Sequence, residues 1–168
     1  MRTTRTAGAL LAGVLTAALT GCGDAASAEP PEVTVTAGPQ EVTARPTQYC
    51  GEGQGQRYSV TPPVVEVSPD TPIALTVPEE VARNGWGVQV YDERLEQRIG
   101  EVDVERGTTT FDGINSSDVV PTAFYLVVVE DQHGECLLTG SWPIGFLRAG
   151  GDLGTEPTPT SAPASPAG

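Results

Sequence analysis

The chain has no lysine: its nine basic residues are all arginine, set against 22 acidic residues, and the net charge is −13. Nucleic acids and anionic lipid headgroups are both bound through clustered Lys and Arg, which release counterions or meet the negative surface potential. An acidic chain without such clusters is repelled by both, so nucleic-acid partners are excluded. The missing lysine also disqualifies Gly51, Gly53 and Gly55 as a phosphate loop, which needs that cation and a following helix. They read as a flexible loop. Histidine is nearly absent as well, with His133 the single example. A zinc site needs three or four ligands in fixed geometry, and His133 has only Glu130, Asp131 and Glu135 beside it on a hairpin tip. A serine triad would have to use the same histidine, and no Gly-x-Ser-x-Gly elbow presents a serine. No Cys-x-x-Cys spacing exists to tune a redox thiolate. No internal repeat is present, and no catalytic constellation or cofactor is implied.

Long apolar runs are scarce too. The longest N-terminal stretch, from Ala7 to Leu19, holds about 13 residues, too few to span a bilayer. Arg2 and Arg5 precede it and Leu19, Thr20, Gly21 and Cys22 follow it. This arrangement resembles the prolipoprotein family, in which a signal is cut before a cysteine whose thiol carries diacylglycerol. The resemblance implies a signal peptide over residues 1–21, palmitate-type acylation at Cys22, and a protein held by lipid on the extracytoplasmic face of the cell membrane. A single acyl chain binds only marginally, and each buried methylene adds about 0.8 kcal/mol, so two chains anchor stably without a transmembrane helix. Removal of residues 1–21 leaves seven Arg against 22 acidic residues, a net charge of −15. Membrane contact is therefore expected from lipid and not from electrostatics.

Composition divides the remainder. Residues 22–31 are small, polar and Pro-ended and read as a lipidated tether; nine flexible residues span roughly 15 to 18 Å. Residues 149–168 carry Pro157, Pro159, Pro163 and Pro166 among Thr, Ser and Ala, and read as a disordered tail. Between them, residues 32–148 are enough for one core. Alternation at period two dominates: Val33 and Val35, Val65 and Val67, Ile73, Leu75 and Val77, Trp86, Val88 and Val90, Val102 and Val104. Phe124 to Val129 is apolar on both faces, as for a central strand covered on both sides. Turn signals stand at Pro62-Pro63, Pro69-Asp70, Asn84-Gly85, Arg106-Gly107 and Asp112-Gly113, and only Pro78 to Arg83 has helical character. The expected fold is an all-β antiparallel sandwich of immunoglobulin-like architecture with seven to nine strands.

With Cys22 lipidated, Cys50 and Cys136 remain, and in an oxidising compartment a disulfide between them is the default expectation. Trp86 invites comparison with the tryptophan packed on the bridge of antibody domains. It lies 36 residues after Cys50, too far for that strand order, which suggests a different sandwich topology.

The residual sites have ordinary readings. Glu79-Glu80, Asp92-Glu93 and Glu130-Asp131 read as solvated turns, since neighbouring strand residues face opposite ways. Asp112, Asn115 and Asp118 are weak calcium candidates around Gly113, without EF-hand spacing, and turn chemistry accounts for them. Trp86, Tyr91 and Trp142 read as core and less as an aromatic binding surface.

One further resemblance reaches the folded region. Glu32-Val33-Thr34-Val35, Pro46-Thr47-Gln48-Tyr49-Cys50, the strand from Ile73 to Pro78 and Gly140-Ser141-Trp142 resemble a family of actinobacterial lipoproteins known only as a domain of unknown function. Some relatives carry a second cysteine soon after the Tyr-Cys pair, where this chain has Gly51 to Gln56. The resemblance implies an exported, membrane-tethered β-domain and no enzyme chemistry. The first expectation is a non-enzymatic module that binds an envelope protein. The alternatives are a hydrolase or metal-dependent enzyme built from dispersed carboxylates, and a structural spacer.

Overall fold

The computed structural model describes residues 29–51, 53–132, 136 and 139–149. Cys22, His133, Glu135 and the Pro-rich tail, on which several expectations fall, lie outside the described residues. The elements are β1 (Val33–Ala37), β2 (Gln40–Ala44), β3 (Gln48–Gly51), β4 (Gln54–Arg57), β5 (Val64–Val67), β6 (Pro72–Thr76), α1 (Glu79–Asn84), β7 (Trp86–Tyr91), β8 (Arg98–Val104), β9 (Thr110–Asn115), β10 (Ala123–Glu130) and β11 (Ser141–Arg148).

These strands form two sheets, ordered β2-β1-β6-β9 and β4-β3-β11-β10-β7-β8, with β5 joining the larger sheet by pairing parallel to the end of β11. The other pairings are antiparallel. The all-β sandwich is as the alternation implies: Val33 and Val35, Val65 and Val67, and Ile73 and Leu75 are buried on one side of their strands while their neighbours face outward.

The count of eleven strands among the described residues exceeds the seven to nine expected, and two hairpins before β5 supply the excess. Gly38, with φ of 57°, turns β1 into β2, and Gly53, with φ of 76°, sits between β3 and β4. The glycine-rich stretch read as a flexible loop is thus paired, Cys50 with Gly55 and Tyr49 with Gln56. All four β4 residues are exposed, so the apolar alternation that marks a half-buried strand is missing there. Asp112-Gly113 is likewise no turn. It lies inside β9, where a register irregularity opposite Ile73 and Leu75 accommodates it, and the chain turns instead at residues 116–118.

The order β11-β10-β7-β8 is the G-F-C-C′ order of an immunoglobulin-type sheet, and β1-β6-β9 follows its A-B-E order. Trp86 opens β7, the strand in the C position, and is buried in the core. The spacing argument for a different topology therefore fails. Cys50 lies on the added β3 and not on the strand in the B position, so its distance from Trp86 carries no information about strand order.

Trp86, Trp142, Phe124 and Phe146 are the largest buried side chains and share one core with Ile73, Leu75, Leu126 and Ile144 from both sheets. Phe124 and Phe146 stack with ring centroids 5.3 Å apart. Truncating such an aromatic costs about 3 to 5 kcal/mol. The helix α1 closes one end of the sandwich with Val81 and Ala82, and Gly85, at φ of 96°, donates its N–H back to Val81 and Ala82. Helical character is thus found one residue from the expected Pro78 to Arg83, with Pro78 at the N-cap position. Among the described residues no helix is long and apolar enough to cross a membrane.

Candidate binding surface on the outer sheet face

β10 is central in its sheet, between β11 and β7. Its inward residues Phe124, Leu126 and Val128 fill the core, and its outward residues Tyr125, Val127 and Val129 are apolar as well. On that outer face Val127 is buried and Tyr125 and Val129 are half-buried, so the strand is covered in part on its second side as well, as its doubly apolar run implies. The register lays out the surface in rows: Pro143, Val127 and Gln89 across one, Ser141, Val129 and Gly87 across the next, and Gly145, Tyr125 and Tyr91 across a third. An open groove of about 430 Å³ runs over it, floored by Val127, Val129 and Pro143 and walled by Thr47, Gln48, Gln89, Tyr91, Leu95, Thr139 and Ser141.

The walls are held by hydrogen bonds. Gln48 Nε2 donates to the Thr139 carbonyl at 2.9 Å, Tyr91 donates its hydroxyl proton to Gln89 Oε1 at 3.1 Å, and Thr47 Oγ1 donates to the Ser141 carbonyl at 3.2 Å. Leu95 is placed by the β7–β8 turn. There Asp92 Oδ1 accepts the N–H groups of Glu96 at 2.8 Å and Gln97 at 3.1 Å, and Leu95 adopts a φ of 58°. The Gln97 N–H is the main reason the Asp92 carboxyl titrates below its ordinary range.

A second cluster lies inside the sandwich at the C-terminal end of β10. Glu130 is fully buried and accepts a hydrogen bond from Asn84 Nδ2 at 2.8 Å. The reading of Glu130-Asp131 as a solvated turn is therefore right only for Asp131, which is exposed and pairs with Arg106 at 3.5 Å. Trp142 donates from Nε1 to the Pro31 carbonyl at 2.8 Å, which ties the incoming chain to the core. Glu29 and Glu32 both pair with Arg45, which links the chain ahead of β1 to the residue that follows β2. Tyr49, 6.0 Å from the Trp142 ring, has its phenol pushed up to about 12 by burial, then by Glu130, Glu80 and Tyr58. Cys50 and Cys136 form a disulfide across 86 residues, and both are buried.

At the far end of β11, Arg148 donates from one guanidinium nitrogen to the carbonyls of Val119 at 2.7 Å, Val120 at 3.1 Å and Pro121 at 2.7 Å. The loop so fixed presents Val120 with 91% of its surface exposed. The weak calcium candidates are spoken for nearby. Asp118 Oδ2 accepts the Asn115 N–H at 2.7 Å and Asn115 Oδ1 accepts the Ser117 N–H at 3.0 Å, while Asp112 is exposed on β9. Among the described residues no three His, Cys, Asp or Glu converge as metal ligands would.

The two tryptophans are core, as read, and Tyr91 is half-buried at the groove. The groove and the buried Glu130 were not read from sequence. The signal for the groove was present in the doubly apolar run of β10, which also fits a face left open. Neither a curated protein nor a solved structure matches the chain. The profile of one family does match it, over residues 26–145, and since that covers most of the sequence and all but the end of the sandwich, the chain belongs to the family of proteins of unknown function DUF2771.

Proposed function

We propose that this protein is a membrane-anchored lipoprotein of the actinobacterial cell envelope, lipidated on Cys22, that binds an envelope protein and has no enzymatic activity of its own. The prolipoprotein-like segment Leu19 to Cys22 supports the anchor. The observation that carries the interaction reading is the placement of two contacts on one strand. The incoming chain is fixed to Trp142 at the start of β11, and the Val120 loop is fixed to Arg148 at its end. An eight-residue strand spans roughly 26 Å. A chain tethered just before Glu29 would thus turn its anchored end to the membrane and hold Val120 away from it. A rigid loop with one exposed apolar side chain loses little entropy on docking, which favours affinity. Glu130, the one fully buried carboxylate among the described residues, is engaged with Asn84 inside the fold, as a structural group would be.

The test is in-cell capture with a photo-crosslinking residue in place of Val120, with Cys22→Ala as the comparison. Amine-reactive reagents have no lysine to modify. One discrete crosslinked envelope protein, lost in Cys22→Ala and reduced in Arg148→Ala, is the expected result. Absence of any crosslinked band at Val120 in the lipidated strain overturns the interaction reading, and an unchanged membrane fraction for Cys22→Ala overturns the anchor.

A further inference from the structure

The groove on the outer sheet face stands out in one respect: in a protein of net charge −13, none of the ten described residues that line it is charged. Six of the ten carry a side-chain hydroxyl or amide, namely Thr47, Gln48, Gln89, Tyr91, Thr139 and Ser141, and the other four are aliphatic or proline. Hydroxyls and amides both donate and accept hydrogen bonds. A ligand that matches such a surface carries groups that do the same, has apolar faces to lie on Val127, Val129 and Pro143, and bears no charge. From this geometry we infer that the groove is a binding site for a neutral, polyhydroxylated chain, an oligosaccharide.

Three features favour a sugar over an extended peptide. A peptide strand draws its affinity from unpaired backbone groups at a sheet edge, whereas the floor of this groove is the face of β10, whose backbone is paired to β11 and β7. The polar groups available are side chains, already oriented by the Gln48–Thr139 and Tyr91–Gln89 hydrogen bonds. Tyr91, in the groove wall, offers a ring for the C–H face of a sugar, and the groove is open to solvent. Its volume falls in the range of small-ligand sites, about 300 to 1,000 Å³. This site is separate from the Val120 loop, and its test uses purified protein, so either proposal can fail without the other.

The experiment is calorimetric titration of the full-length chain, in a zwitterionic detergent free of sugar headgroups, with the neutral tetramer of β-1,4-linked N-acetylglucosamine and with cellotetraose. Saturable binding of at least one of the two is expected, weakened at least tenfold in Gln48→Ala and in Tyr91→Ala with melting temperatures near that of the parent. Should Tyr91→Ala fail to fold, Gln48→Ala decides the matter. Absence of heat with both sugars up to millimolar concentration overturns the inference, as does binding that Gln48→Ala leaves unchanged.

Discussion

Asn84, the last residue of the only helix described, donates its side-chain amide to Glu130, the last residue of the central strand, inside a core that shields Glu130 fully from solvent. The contact joins the α1–β7 corner to β10, and the backbone repeats it one residue on, where the Asp131 N–H donates to the Gly85 carbonyl at 2.8 Å. A buried carboxylate is retained only where its oxygens are met by donors, and Asn84 is one of them.

Asn84→Ala removes a donor to a buried carboxyl group and is expected to lower stability by about 1 to 3 kcal/mol in urea denaturation. Asn84→Asp replaces that donor with a second carboxyl group beside Glu130 and is expected to cost more at neutral pH. Equal costs for the two variants at neutral pH would contradict the role given to this contact.

Gly140→Ala is expected to be among the most damaging single substitutions. A Cβ there would overlap the Trp142 ring and lie 2.8 Å from Glu130 Oε2, and both of those side chains are buried. Overpacking of a filled site costs about 1 to 3 kcal/mol, and here a polar group is displaced as well. Thermal unfolding of the variant measures it; a melting temperature within a degree or so of the parent would mean the core yields at this point.

Tyr49 links stability to alkaline pH. Its folded pKa, about 12, stands above the ordinary value of 10.0, so the native state favours the protonated phenol. The associated stability is complete below pH 10 and is lost as the pH rises toward 12. Tyr49→Phe is expected to flatten the stability profile in that window and to remove a step near pH 12 from the ultraviolet titration of the phenols.

Reduction of the Cys50–Cys136 disulfide releases a loop of 86 residues. In the chain-entropy description this lowers stability by about 4 to 5 kcal/mol. The double variant Cys50→Ser, Cys136→Ser should shift the urea midpoint by a corresponding amount and lose its sensitivity to reductant. A parent whose midpoint ignores reductant would show that the bridge does not form in solution.

Much of the architecture was legible because half-buried strands write their burial into alternate residues. Val33 and Val35, Ile73 and Leu75, and Trp86 and Val88 each announced a strand, and Pro78 with Asn84-Gly85 bounded the helix. β4 gave no such sign, since all its residues are exposed and its pairing rests on backbone hydrogen bonds that any sequence can make. Asp112-Gly113 misled for the opposite reason. Gly113 is required in a strand because the Phe111 ring occupies the space of a Cβ, a demand set by packing and not by a turn.

By itself the sequence determined the class of fold, the acidic surface, the pairing of the two internal cysteines and the lack of a conventional catalytic motif, because periodicity, charge and residue counts are local or additive properties. Which faces remained open was decided only in three dimensions. The apolar run from Phe124 to Val129 is compatible with burial on both sides or with a groove, and in the fold Val127 is buried while Val129, half-buried, lines an open groove. Glu130 reads as a surface acid until Asn84, some 46 residues away, is brought against it. Burial of a carboxyl group and partial exposure of an apolar face depend on what other segments leave uncovered, and that is a property of the assembled sheets.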